Sequence, residues 1–200
     1  MITNKQLKIV DVLNKTPGAA LTFSEVGKRT NIKSHSFLQR ALAQFEKEEI
    51  IKSKKSGVSV FYELDFSPKT ILYISLAGYE FYKIPAKVTE HLIQEISKET
   101  LFFSMVVFGS YAKNEQKKNS DLDVCVIVED KKITNKVKSR MENVKRREII
   151  GVHSYVFFVK EFEAMLNSEK ENVGKEIARN HLPIYNPHSF YRVVEKWNRK

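Results

Sequence analysis

The chain has one cysteine, Cys125, in 200 residues. A lone thiol cannot close an internal disulfide, and its rarity fits a reducing compartment, so a cytoplasmic location is expected. No apolar run approaches the ~20 residues that a membrane-spanning helix requires, so no membrane partner is expected. The start, Met1-Ile2-Thr3-Asn4-Lys5, lacks the pattern of a secretory signal. His181 and His188 stand in no zinc-ligand spacing with each other or with Cys125. Ser110 has no Gly-x-Ser-x-Gly elbow around it, which sets aside a serine nucleophile. No internal repeat or low-complexity tract is visible.

What the chain has in excess is positive charge. The formal net charge is +10 and the pI is near 9.5, which points to a polyanionic partner, nucleic acid or nucleotide. Hydrophobic residues make up 42%, with 13 Phe and 8 Tyr, enough to build a core. The length permits two small domains.

Apolar residues at Leu7, Val10 and Leu13 recur at helical spacing, predicting a helix from Thr3 to Thr16 that stops at Pro17-Gly18. Leu21 reads as a short extended piece, and Thr22 or Ser24 opens a short helix through Thr30. Ser34 caps a longer helix with Phe37, Leu38, Ala41, Leu42 and Phe45 on one face. Alternation over 50–64, with a turn at Lys55-Ser56-Gly57, predicts a β-hairpin. Three helices and a hairpin ending in Phe61-Tyr62-Glu63-Leu64 resemble a winged helix-turn-helix domain over 1–66. That resemblance implies double-stranded DNA as partner, with the third helix in the major groove. Its exposed candidates are Lys33, Ser34, His35, Ser36, Gln39 and Arg40, of which Gln39 and Arg40 can make bidentate base contacts. Lys52, Lys54 and Lys55 at the hairpin tip would touch phosphates.

Pro68 suits the first turn of a further helix. Residues 67–100 read as two helices, the first weakened at Gly78, that link the domains or form a homodimer contact. The apolar stripe from Ile71 to Tyr82 reads as core. From 101 onward strands alternate with helices, giving an α+β expectation with a small mixed sheet. Strands are expected at 102–108, 122–128 and 152–159, and helices at 133–149, 161–166, 173–180 and 189–198. The basic helix 133–149 reads as a solvated face.

Between the first two strands stand Gly109-Ser110-Tyr111-Ala112 and Ser120-Asp121-Leu122-Asp123. Strand residues two apart share a face about 7 Å apart, so Asp121 and Asp123 can converge on one divalent cation. Gly109 permits a sharp turn whose N–H groups and the Ser110 hydroxyl can face a phosphate. These two motifs resemble the G-S-x-A-x-G and S-D-x-D signature of DNA polymerase β-like nucleotidyltransferases, especially the minimal nucleotidyltransferase domains, over 101–200. The resemblance implies transfer of a nucleoside monophosphate from a nucleoside triphosphate, assisted by Mg²⁺ or Mn²⁺. It also implies phosphate binding by Gly109 and Ser110, metal binding by Asp121 and Asp123, and a positive charge at Lys113, where relatives carry Arg.

The family's third carboxylate is missing from the strand 152–159. His153 or Tyr155 stands about where it belongs, with Glu148, Glu161 and Glu163 nearby in sequence. Two readings follow. His153 or a neighbouring Glu substitutes and the protein is an enzyme, or it is a transcriptional regulator that binds nucleotide without turning it over. A partner-binding role, such as half of a toxin–antitoxin pair, is a third class. His153 reads either as a hydrogen-bonded core residue or as a catalytic base.

Overall fold

The computed structural model describes residues 2–15 and 19–198. The predicted helix stop at Pro17-Gly18 lies outside them. The chain divides into two compact units at Glu80/Phe81.

In the first unit, α1 spans Asn4–Asn14 and β1 Leu21–Thr22; α2 runs Phe23–Thr30 and α3 His35–Lys47. Thr3 and Thr22 each form a capping box, with Gln6 and Glu25, satisfying otherwise orphaned N-terminal donors. Asn31 closes α2 in the left-handed region (φ 56°), and the Ser34 hydroxyl accepts from the Phe37 N–H to start α3. Leu38, Ala41, Leu42 and Phe45 are buried as the spacing predicts, while Phe37 is half-buried.

β2 (Ile51–Ser56) and β3 (Ser59–Leu64) form the hairpin, and β1 adds to it in the order β1-β3-β2. Its turn is Gly57-Val58, not Lys55-Ser56-Gly57, because Ser56 pairs directly with Ser59. Gly57 takes the positive φ (59°) that a two-residue hairpin loop needs at its first position. Lys52 therefore lies away from the tip, opposite Glu63 and bound to Asp65 at 2.7 Å. The next helix, α4 (Pro68–Phe81), passes through Gly78 without a break. It buries Ile71, Ile74 and Ala77 but exposes Leu72, Leu76 and Tyr79, so only part of the predicted stripe is core.

In the second unit, a four-stranded sheet has the order β6-β5-β4-β7, with β4 at Phe103–Phe108, β5 at Leu122–Val128, β6 at Val152–Phe158 and β7 at Leu182–Tyr185. β4 is antiparallel to β5 and β7, and β5 is parallel to β6. The parallel pair requires a crossover, supplied by α7 (Thr134–Lys145). Alternation then divides the strands between two cores. Leu122, Val124, Val126 and Val128 join Val137, Met141 and Val144 of α7 and Leu92 and Ile96 of α5 (Ala86–Ser97). Arg140 of α7 meets Glu99 at 2.8 Å and Glu95 at 3.6 Å.

The opposite face meets α8 (Val159–Asn167), α9 (Val173–Arg179) and α10 (Pro187–Asn198). Its core is an aromatic chain in which Phe157 meets Phe162, Phe162 meets Phe190, and Phe190 and Tyr191 pack edge-on against His181. The His181 Nδ1 lies 2.9 Å from the Ala178 carbonyl, and its buried Nε2 has no hydrogen-bond partner among the described residues. Burial depresses its pKa to about 4, so it folds as the neutral imidazole. The unfolded chain takes up that proton near pH 6.5, while the folded one resists until about pH 4. Stability from this group is thus complete above pH 6.5 and falls through the window below. Denaturant titrations are expected to lose up to about 3 kcal/mol between pH 6.5 and 4, and His181→Gln to flatten that slope.

Candidate active site

The site lies where β4 ends and β5 and β6 begin. β4 delivers Phe108 directly into α6 (Gly109–Lys113), a five-residue helix entered with Gly109 at φ 66° and left with Asn114 at φ 58°. Tyr111 and Ala112 are buried beneath it, and Lys113 is exposed. The loop after Asn114 returns the chain to Asp121, one residue before β5.

Register builds the rest. Phe108 is opposite Asp123 in the antiparallel pair, and His153 is opposite Asp123 in the parallel one. The three share one face of the sheet. Tyr155 falls opposite Cys125 instead, so the position facing the acid belongs to His153. His153 is 66% exposed, which removes the core reading.

The two carboxylates are arranged alike. Asp121 Oδ2 lies 3.5 Å from His153 Nε2, and Asp123 Oδ1 lies 3.4 Å from Nδ1 of the same ring. Each carboxylate turns its other oxygen onto a glycine. A Cβ on Gly109 would stand 2.1 Å from Asp123 Oδ2, and one on Gly151 would stand 1.9 Å from Asp121 Oδ1. Both glycines therefore provide room that any side chain would fill. The Leu122 N–H donates to the Gly151 carbonyl at 2.8 Å, fixing the Gly151 backbone to the start of β5.

Burial raises the pKa of Asp123 above the ordinary carboxylate value; the imidazole of His153 pulls it down, and the negative charges of Glu176 and Asp121 push it up. Glu176 sits exposed on α9. Cys125, on the same face, is fully buried and its thiol is pushed far up, so it is a small packing residue and not a nucleophile.

The other sequence candidates divide. Glu148 is 2.8 Å from His91, and Glu163 is 3.8 Å from Lys196, so both already have side-chain partners. Among the described residues no group of three or more His, Cys, Asp and Glu side chains is arranged to hold a metal ion. Two convergent carboxylates suit a hard cation that completes its shell with water and phosphate oxygens. In the first unit Lys33, Ser34, His35, Ser36, Gln39 and Arg40 are all exposed around the start of α3. The Ser34 hydroxyl is used as a cap, the His35 ring packs on Phe23 at 4.5 Å, and Arg40 Nε donates to the Ser36 carbonyl at 3.3 Å. Lys54 and Lys55 are exposed on β2.

Sequence reasoning missed Gly151 and Glu176. A lone glycine at the mouth of an apolar strand is a signal of close approach, so Gly151 was findable. Glu176 carries no comparable signal, because only the packing of α9 beside β4 brings it near.

Residues 90–182 match the family model described as nucleotidyltransferase domain. That match covers the Gly-Ser turn, both acids, His153 and Glu176, and it supports nucleotidyl transfer in general terms. No curated protein matches the chain.

The clearance at Gly151 is directly testable. Its backbone is not left-handed, so alanine is opposed only by the Asp121 carboxylate, the mobile end of a half-exposed side chain. Gly151→Ala is expected to keep or raise stability by about 0.4–1 kcal/mol in thermal melts. Mn²⁺ affinity, read by electron paramagnetic resonance, is expected to fall by about 10–100-fold.

Proposed function

We propose that the second unit transfers a nucleoside monophosphate from a nucleoside triphosphate to an acceptor hydroxyl. The observation that carries this reading is the pair of carboxylates, one against Gly109 and the other against Gly151, that both face the ring of His153. Asp121 and Asp123 would hold Mg²⁺ or Mn²⁺, and the donor set fits: two hard oxygens, with open coordination left for phosphate. When bound, the ion supplies charge neutralisation at the phosphoryl oxygens.

The chain's own residues do the remainder. Gly109 and Ser110 hold phosphate oxygens, and Lys113, exposed at the end of α6, adds positive charge. The acceptor oxygen forms a bond to the α-phosphorus as the bond to pyrophosphate breaks. His153 is the neighbouring group with a proton-accepting nitrogen, and we assign it the acceptor's proton. Its ring is exposed enough to swing aside for an ion.

Without a carboxylate on β6, a nucleotide-binding regulator is the second reading. Labelled ATP, CTP, GTP and UTP with Mg²⁺ or Mn²⁺ separate the two. Transfer of label to protein or added acceptors, reduced about 100-fold or more by Asp121→Ala or Asp123→Ala, is the expected result. Binding without transfer would leave the regulator.

For the first unit we propose duplex DNA binding by a winged helix. Three helices followed by a hairpin, with Gln39 and Arg40 exposed on α3 and Lys54 and Lys55 near the tip, support it. Affinity is expected to fall steeply with salt. Lys54→Ala should lower the log–log salt slope by about 1, and Arg40→Ala should cost about 1–3 kcal/mol and relax sequence preference. DNA affinity unchanged in both variants would remove this assignment.

A further inference from the structure

Tyr155 stands two residues beyond His153 on β6, so its side chain shares the face that carries Asp123 and His153. β6 is an edge strand, and Tyr155 is 41% exposed. The ring is nonetheless held in place. Phe157 stacks with it at 6.0 Å and 23°, and Phe108 meets it at 5.9 Å and 57°. Phe157 rests in turn on Phe162, which is fully buried.

The order along the strand gives the shelf a direction. His153, Tyr155 and Phe157 follow one another on the same face, so Phe157 covers the side of Tyr155 away from the acids. Phe108, in register with Asp123 and His153, touches Tyr155 from the side of the acids, so the exposed ring is braced from both directions along the strand. An aromatic ring that stays 41% exposed although two other rings brace it, two residues from His153 on the same face, is placed to receive a planar ligand.

We infer that Tyr155 is a stacking shelf for the base of a nucleotide whose phosphates lie at the Asp121–Asp123 site. This rests on the nucleotidyl-transfer reading above. Strand spacing sets Tyr155 about 7 Å beyond His153, a gap that the ribose has to bridge. Stacking tolerates any base because each offers a π-face, so the shelf contributes affinity for nucleotides as a class. The bracing by Phe157 and Phe108 means that little side-chain freedom is lost when a base docks.

The test measures binding of ATP and of inorganic tripolyphosphate, with Mg²⁺, to the full chain by calorimetry. Wild type, Tyr155→Ala and Tyr155→Phe are compared. Tyr155→Ala is expected to weaken ATP about tenfold or more, Tyr155→Phe to leave it nearly unchanged, and tripolyphosphate to bind all three alike. ATP affinity unchanged in Tyr155→Ala overturns the shelf. So does an equal loss of tripolyphosphate, which marks distortion of the site, and so does a loss in Tyr155→Phe matching that in Tyr155→Ala, which assigns the effect to the hydroxyl. Wild type that binds tripolyphosphate as tightly as ATP removes the shelf and leaves the phosphate site standing. Wild type that binds neither removes the phosphate site and the shelf with it.

Discussion

Asp121 and Asp123 repel one another, and one of them is substantially buried, so their shared site exists only because something opposes that repulsion. The opposition has two parts. His153 places a ring nitrogen within 3.5 Å of each acid. Gly109 and Gly151 leave their Cβ positions empty, so each carboxylate lies flush against backbone. Neither part would suffice alone: without the clearance the acids could not aim at the imidazole, and without a positive or polar partner they would turn away from each other toward water.

The sheet makes this arrangement possible at little conformational cost. Register fixes Phe108, Asp123 and His153 in one row across three strands, and alternation removes their neighbours Leu122, Val124 and Val152 to the opposite face. The rigid part of the unit thus sets where the acids start, and the loop from Asn114 to Ser120 is left to vary. Perturbed carboxylates are a mark of such sites: burial pushes the pKa of Asp123 above its ordinary value, a cost that packing elsewhere in the unit offsets. Cys125 shows the contrast. It occupies the same face one step deeper, with no opposing group, and it is inert.

How much of this was legible depended on whether the signal was local. The Ser34 cap, the start of the second helix at Thr22 or Ser24, the strands around Cys125 and the Gly109 turn were readable because short stretches determine them. The hairpin turn was misplaced by two residues because Lys55 and Ser56 look like turn residues, while pairing of Ser56 with Ser59 decides the loop. Lys52 went with it, drawn from the supposed tip to Asp65. Gly78 resembled a break, yet one glycine costs a helix only ~1 kcal/mol, and burial of Ile71, Ile74 and Ala77 on the same helix outweighs that. His153 was seen as a candidate from its place in the chain, but its exposure and its two acidic neighbours are products of register. Glu176 was invisible for the same reason in stronger form, since it depends on elements far apart in sequence coming together, whereas Gly151 signalled a close approach without naming Asp121 as its neighbour.

The histidine opposite Asp123 changes the charge balance of the site. In the nucleotidyl-transfer reading proposed above, a third carboxylate there would add a negative charge beside Asp121 and Asp123, with a triphosphate adding still more. With an imidazole in its place the sheet would offer two carboxylates to a divalent ion in that reading. The triphosphate then needs positive charge from elsewhere. Lys113 at the end of α6 and Lys117 and Lys118 in the loop that follows are all exposed. Lysines suit that task because a flexible ammonium can follow a phosphate without fixed geometry, whereas the planar fork of arginine fixes its partners. The departure from Arg at Lys113 and the departure from acid at His153 are therefore consistent with one another: fewer fixed charges on the sheet, and more mobile ones in the loop above it.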